Sequence, residues 1–565
     1  MGNPQSKQDE KVVTQNADKQ TIPEQIIQNQ SISKQSVRKN KKHRDDKVLD
    51  TQNAHEQPIP KQIIQKQSIP MQSASKRTKH RNMQNSNSRR SCDEIEPQDR
   101  NVRDDEPITK HHTISSETSD QEDIEISLHF ARNYLTPTDI SQEWPCTVLL
   151  KAPETNETKR SGVDIICVID VSGSMNGDKI ELVQKTLEFM ITQMASDDRV
   201  SIVSFNNFSE KLLPLTVMND SGKIKAQEAI ERLYTSGGTN IISGLDYGIN
   251  IAVNRNIENN STAIILLSDG CDRCRETALE RTNACIENYN SSNVSYTIHS
   301  FGYGSDHDAK VLSAIAEAKN GGFYYVEKFE SIASAFANCL GELLSTIASE
   351  IQINLQTLPA PIEYLLTKVY SSNGDIQFSM PNVMAGDSKE AVFILEFPPS
   401  QFDIGEGIDI IPIRATVKYT LIKTGLRKTE NRELVIRLRP DFEEVKFDES
   451  VLNNFYRVKT AEILKEAGII ADKGKLDKAR KLVLNQANEL KNCICNSTEL
   501  VKMLEKDLKK ASKRFENYSE YERGGRADIN SMAMNHRSKR GENNVIYQNC
   551  AQKKMQVKSK NFFSS

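Results

Sequence analysis

The stretch Val163–Met175, VDIICVIDVSGSM, decides the fold. Val163, Ile165, Ile166, Cys167, Val168 and Ile169 form a nearly continuous apolar run that ends in Asp170. So short and so apolar a run suits a strand buried on both faces, as in a parallel sheet. Ser172 and Ser174 follow at alternate positions in the turn. A helix is predicted from Asp178 to about Ala195, because Val183, Leu187, Met190 and Met194 fall on one face.

The same alternation continues outward. RVSIVSF reads as a strand and KIKAQEAIERL as a helix. GLDYGINIAVN reads as a helix, then TAIILLSD and SYTIHSFGYG as strands. DHDAKVLSAIAEAKNGG is a helix with acids at its start and Gly at its end, the expected cap asymmetry. FYYVE and SIASAFANCLGELLSTI close the series as strand and helix. Residues 160–350 are therefore expected to form an α/β unit, a doubly wound and mostly parallel sheet with helices on both faces.

On either side of this unit the helical signal disappears. EISLHFARNYL and CTVLLKAP precede it; EYLLTKVYSS, DIQFSMP, EAVFILEF, IIPIRATVKYTLI and RELVIRLR follow it. The earlier strands have no partners of their own. Residues 126–159 and 351–440 are expected to pair as one β-sandwich into which the α/β unit is inserted. Residues 447–518 read as a helical region, a hairpin broken at DKGK and then a third helix. Residues 519–565 read as a polar, basic and poorly ordered tail.

The 74 Lys and Arg nearly balance the 77 Asp and Glu, but the charges are segregated. Residues 1–91 hold 18 basic and 8 acidic residues, and residues 93–125 hold 3 basic and 12 acidic ones. Residues 1–125 are expected to be a disordered arm, first basic and then acidic. The arm contains a duplication at a 37-residue offset, TQNADKQTIPEQIIQNQSISKQS from Thr14 and TQNAHEQPIPKQIIQKQSIPMQS from Thr51. Two copies are too few to stack into a solenoid. No apolar run approaches the ~18 residues of a membrane-spanning helix, and the start lacks the apolar segment of a secretory signal. The ten cysteines are scattered, which suits reduced thiols. The pairs Cys271/Cys274 and Cys493/Cys495 lack the second pair or the histidines that a zinc site needs.

Chemistry is concentrated at the carboxyl ends of the predicted strands, where open α/β sheets bind ligands. Asp170, Ser172 and Ser174 offer a carboxylate and two hydroxyls there. TSGGTN places Thr239 on a Gly-rich loop before a helix, and LLSDG places Asp269 at the end of another strand. Such hard oxygen donors suit Mg²⁺, Mn²⁺ or Ca²⁺. The five residues, in this order and on these elements, resemble the metal-ion-dependent adhesion site of von Willebrand factor type A (VWA) domains. The resemblance covers about residues 160–350. It implies a divalent cation, Mg²⁺ first among them, held directly or through water by Asp170, Ser172, Ser174, Thr239 and Asp269. It also implies an open coordination position, which an acidic residue of a protein partner fills. The wider order, with a β region and then a helical segment, resembles intracellular protist VWA proteins. INSMAMNHRSKR looks like a degenerate form of a tail in that group.

Catalytic readings fit less well. An aspartyl-nucleophile phosphatase needs a carboxylate two residues after the first, and that position is Ser172. There is no GxxxxGK[ST] phosphate loop. His299 and His307 read as a strand histidine and a cap-region histidine. Some VWA relatives in plants and fungi carry a RING zinc module and act as ubiquitin ligases, but the second CxxC is absent here. The expectation is a non-enzymatic, cation-dependent docking protein of the cytoplasm.

MGNPQSK fits M-G-x-x-x-[ST], with Gly2 as a myristoylation site. One acyl chain anchors only marginally and wants a second signal. The clusters VRKNKKHR, SKRTKH and SRRS supply one at an anionic membrane surface, on its cytosolic face. Two alternatives stand beside this reading: an adaptor that recruits substrate to an enzyme complex such as a ubiquitin ligase, and a protein that uses the basic arm on nucleic acid. The nucleic-acid partner is the less favoured.

Overall fold

The computed structural model describes residues 105–107, 123–136, 143–154 and 160–564, apart from short stretches at 271, 273–275, 293, 306, 329–330, 371–374, 398–406, 440–443 and 541–544. Gly2, the duplicated arm and the Cys271/Cys274 pair lie outside the described residues.

Two strands come first, β1 (Glu125–Phe130) and β2 (Glu143–Lys151), paired antiparallel. The α/β unit follows. Its strands are β3 (Val163–Asp170), β4 (Arg199–Phe205), β5 (Ser209–Val217), β6 (Ser261–Ser268), β7 (Thr297–Tyr303) and β8 (Phe323–Val326). They form one sheet in the order β5-β4-β3-β6-β7-β8. All neighbours are parallel except β5, which returns antiparallel on β4. Sequence reading did not identify β5, because Pro214 interrupts the run SEKLLPLTV. At a sheet edge the missing N–H costs nothing, and β5 is the edge.

Six helices cover the sheet: α1 (Asp178–Gln193), α2 (Asp220–Glu231), α3 (Ile241–Asn254), α4 (Ala278–Asn288), α5 (Ala309–Ala318) and α6 (Ile332–Leu344). Successive residues of β3 serve opposite faces. Ile165, Cys167 and Ile169 pack with α1, α2 and α6. Ile166 and Val168 pack with α3, α4 and α5. This is why β3 has no polar face to show and reads as one apolar run. Helix α3 lies especially close to the sheet. A Cβ on Gly244 would come within 2.6 Å of the Phe205 ring, and one on Gly248 within 2.6 Å of Val168.

The chain then returns to β structure: β9 (Thr346–Thr357), β10 (Leu365–Val369), β11 (Gln377–Met380), β12 (Val383–Met384), β13 (Ser388–Glu396), β14 (Ile408–Leu421) and β15 (Arg427–Leu438). One sheet has the order β1-β2-β13-β10 and the other β11-β9-β14-β15. The early strands thus pair with a strand more than 200 residues later, Cys146 opposite Phe393. Between the sheets lies one core that includes Trp144, Phe393 and Tyr419. The α/β unit is an insertion in this sandwich.

The helical region holds α7 (Glu449–Asp472), α8 (Leu476–Asn492) and α9 (Glu499–Arg514). Gly474, with φ of +73°, makes the break between the first two. Leu464, Val483 and Leu504 carry their apolar stripes into the sandwich core.

The expected poorly ordered tail at 519–565 needs correction. It contains α10 (Arg526–Ser538) and α11 (Cys550–Ser564). Helix α11 lies along α6: Gln556 exchanges hydrogen bonds with Ser334, and Phe562 and Phe563 meet Phe189 of α1. The polar residues after α10 are clasps rather than solvated groups. Arg540, 3% exposed, donates to Glu342 at 3.0 and 3.2 Å and to the carbonyls of Gly321 and Asn320. Lys539 reaches Glu390 at 2.8 Å, while Arg457 of α7 donates to the carbonyl of His536 at 2.6 Å. NHRSKR therefore ties α/β unit, sandwich and helices together.

Candidate metal centre

Strand β3 delivers Asp170 to the carboxyl edge of the sheet, fully buried. Its Oδ1 accepts from the Ser172 amide at 2.8 Å and its Oδ2 from the Ser268 hydroxyl at 2.6 Å. Beyond Asp170 the Val171 amide still bonds the Phe205 carbonyl, so the chain leaves the sheet only at Ser172. One 3₁₀ turn, Gly173–Met175, follows, anchored by buried Met175. Gly177 then turns the chain into α1 with φ of +81°.

A second loop meets this turn through its backbone. The Ser236 amide donates to the Val171 carbonyl at 2.7 Å, and the Gly173 amide to the Gly237 carbonyl at 3.0 Å. Gly237 adopts φ of +75°. The third loop begins at Asp269. Gly270 lies so close to Thr239 that a Cβ there would stand 2.9 Å from the Thr239 hydroxyl oxygen. Any side chain at 270 would push the Thr239 hydroxyl aside.

Side chains join the first loop to the third. Ser174 donates to Asp269 Oδ1 at 2.7 Å, and the Ser172 and Ser174 hydroxyl oxygens lie 3.1 Å apart. Hydrogen bonds thus link Asp170, Ser172, Ser174 and Asp269, and Thr239 lies against Gly270 at the start of the third loop. Ser174 is exposed, while Asp170, Ser172, Thr239 and Asp269 are buried. Burial pushes the Asp170 carboxyl up to about 6, and the Asp269 charge adds to this. The Ser268 and Ser172 hydrogen bonds pull the other way. A cation among these oxygens would remove that penalty.

Three contributors escaped sequence reading. Ser268 holds the second oxygen of Asp170. Asp272 accepts from the Ile241 amide at 2.9 Å and fixes the start of α3 behind Thr239. Lys179, in the first turn of α1, donates to Asp269 Oδ2. A lysine there opposes the helix dipole, and that mismatch was a usable signal of an anionic acceptor nearby.

The donors are hydroxyl and carboxylate oxygens, which fit a hard divalent cation. Among the described residues no group of three or more His, Cys, Asp or Glu could hold a metal ion. The hydroxyls of Ser172, Ser174 and Thr239 would therefore have to complete any shell begun by Asp170 and Asp269. His299 is buried within β7, whereas His307 packs between Phe323 and Tyr325 near enough to Asp269 to feel its charge. Burial lowers His299 to about 4, and the His307 Nδ1 bonds the Gly304 carbonyl at 2.9 Å.

Residues 164–338 match the family model of the von Willebrand factor type A domain. Over 256 residues the chain is 28% identical to the E3 ubiquitin-protein ligase WAV3 of Arabidopsis thaliana, covering 43% of this chain and 32% of that protein. Over 213 residues it is 26% identical to the uncharacterized protein sll0103 of Synechocystis, covering 38% of this chain and 49% of the other. The chain spans about a third to a half of the length of these curated relatives. Among solved structures, the ArnB paralog VWA2 from Sulfolobus acidocaldarius is 17% identical with a TM-score of 0.49, covering 74% of this chain and 100% of that one.

Proposed function

Because its α/β unit is a VWA domain, we propose that this protein docks protein partners through a divalent cation, Mg²⁺ before Mn²⁺ or Ca²⁺, and is not itself a catalyst. Asp170, Ser172, Ser174, Thr239 and Asp269 hold the cation. Three of the five donors are neutral, so the bound ion keeps positive charge and an open position that a partner's Asp or Glu occupies. One observation carries the reading: the hydrogen-bonded chain Ser172–Ser174–Asp269 beside buried Asp170 at the carboxyl edge of the sheet. The test is a Mn²⁺ titration followed by paramagnetic resonance. The unaltered chain takes up one ion, and Asp170→Ala takes up none. Equal uptake by both would end the proposal.

The membrane half of the proposal rests on Gly2 and the basic clusters of residues 1–91. These tether the protein at the cytosolic face of an anionic membrane. Gly2→Ala then shifts the protein from membrane to soluble fractions, and unchanged partitioning refutes the tether. A second reading, as a substrate-recruiting partner of a ubiquitin ligase, is favoured by the likeness to the Arabidopsis protein. It predicts that cation-dependent partners become ubiquitylated only when a separate ligase is supplied.

A further inference from the structure

The opposite pole of the VWA domain, at the amino ends of its parallel strands, collects positive charge. Arg199 opens β4 and is fully buried. Its guanidinium is held flat by Asp164, with Nε and Nη2 donating at 2.9 and 2.8 Å, and Nη2 also reaches the Ile257 carbonyl at 2.6 Å. Arg255 lies beside the same carboxylate at 3.3 Å. Those bonds fix the plane of Arg199 and leave Nη1 directed elsewhere.

Nη1 is met by a short segment from far upstream. It donates to Asp105 Oδ2 at 3.2 Å and to the Glu106 carbonyl at 2.9 Å. The Asp105 carboxylate also accepts from the Asn256 amide at 3.0 and 3.1 Å, from Asn256 Nδ2 at 2.6 Å and from the Ile257 amide at 3.5 Å. Glu106 lies against the outer edge of β5. Its amide donates to the Leu215 carbonyl at 2.9 Å, its Oε2 accepts from the Val217 amide at 3.0 Å, and its Oε1 from Lys225 at 2.7 Å. Pro107 is exposed.

Each bond named here is polar and reads a carboxylate or an extended backbone. This is recognition of an acidic pair by charge-assisted hydrogen bonds, with one backbone bond to the sheet edge. The receptor atoms are held by their own domain: Arg199 by Asp164, Asn256 and Ile257 by the turn after α3, Leu215 and Val217 by β5. The pocket therefore keeps its shape when the segment leaves, while Nη1 would be left buried and in need of an anion. We propose that this pole is a binding site for acidic peptides of the Asp-Glu type, with Asp105–Glu106 as the ligand resident in cis. A partner that presents the same acidic pair would exchange with it.

The test uses the full chain with Asp105→Ala and Glu106→Ala together, and a fluorescent peptide of residues 101–111. Anisotropy is read in EDTA, so that the cation site does not contribute. The tethered segment competes at an effective concentration of about 1 mM, so the double variant should bind the peptide at least ~10-fold more tightly than the unaltered chain. Binding should weaken with salt, and a peptide with Ala at 105 and 106 should not bind. No binding to the folded double variant, or equal binding to both chains, would overturn the proposal. If the double variant does not fold, Asp105→Asn replaces it, with the same ~10-fold criterion in the peptide titration and the same overturning result.

Discussion

Asp164 and Asp170 begin and end the same strand, and both are fully buried. Their surroundings are opposite. Asp164 receives two arginines, Arg199 and Arg255, and the amide and side chain of Asn259. Asp170 receives an amide and a hydroxyl, and among the described residues no cationic side chain pairs with it. A buried carboxylate with partners of full charge is a finished structural element. One with neutral donors alone, next to a second carboxylate, is a site waiting for charge. The domain thus keeps its amino-end pole neutralised and its carboxyl-end pole short of positive charge.

Breaking the neutralised pole should have the largest effect. Arg199→Met leaves Asp164 with half its positive partners and Asp105 without its own, so about 3–5 kcal/mol of stability should be lost in urea unfolding. A loss under about 1 kcal/mol would mean that the pole is not the closed unit described.

Comparison of the poles also depends on pH, because His299 sits between them on β7. Its folded value of about 4 lies below the unfolded 6.5, so the unfolded chain binds the extra proton between those values. Stability from this group is whole above pH 6.5 and falls by roughly 3 kcal/mol as pH drops to about 4. Urea midpoints should show this fall in the unaltered chain and much less of it in His299→Gln. Equal falls would assign the acid sensitivity elsewhere.

The carboxyl-end pole should respond in the reverse sense. Asp170→Asn should stabilise the cation-free chain by about 2 kcal/mol at pH 7, since it removes a buried charge that has no ionic partner. The same variant should lose Mn²⁺ binding. A less stable variant would show that the Asp170 charge is already compensated. The smallest effect belongs to Lys179, whose ammonium group competes with a cation for Asp269. Lys179→Met should tighten Mn²⁺ binding by about tenfold, a change of ~1.4 kcal/mol by calorimetry. Weaker binding would recast Lys179 as a group that orients Asp269.

What the sequence disclosed about these poles follows the same division. Asp170, Thr239 and Asp269 stand next to apolar runs that end in turns, so their position at one sheet edge could be read directly. Arg199 and Arg540 could not be read in this way. A buried arginine with a buried carboxylate has the composition of a solvated surface, and its partner lies 35 residues away for Arg199 and 198 for Arg540. Helix α4 was missed for a related reason. In ALERTNACIEN only Ala278, Thr282, Cys285 and Ile286 are buried, a face too small and polar to announce itself. NHRSKR is visible as a pattern, yet its basic residues suggest water where the fold supplies carbonyls and glutamates.

Helix α11 closes over α6 across a separation of 226 residues, as the Ser559–Ala333 bond marks. During synthesis at ~5–20 residues per second, α6 would therefore wait on the order of 10–40 s for its cover. Throughout that time Phe189 and the face of α6 are open to other chains. Completion of the α/β unit is thus a late, long-range step of folding, and the apolar face of α6 is the surface most exposed to misassembly before it.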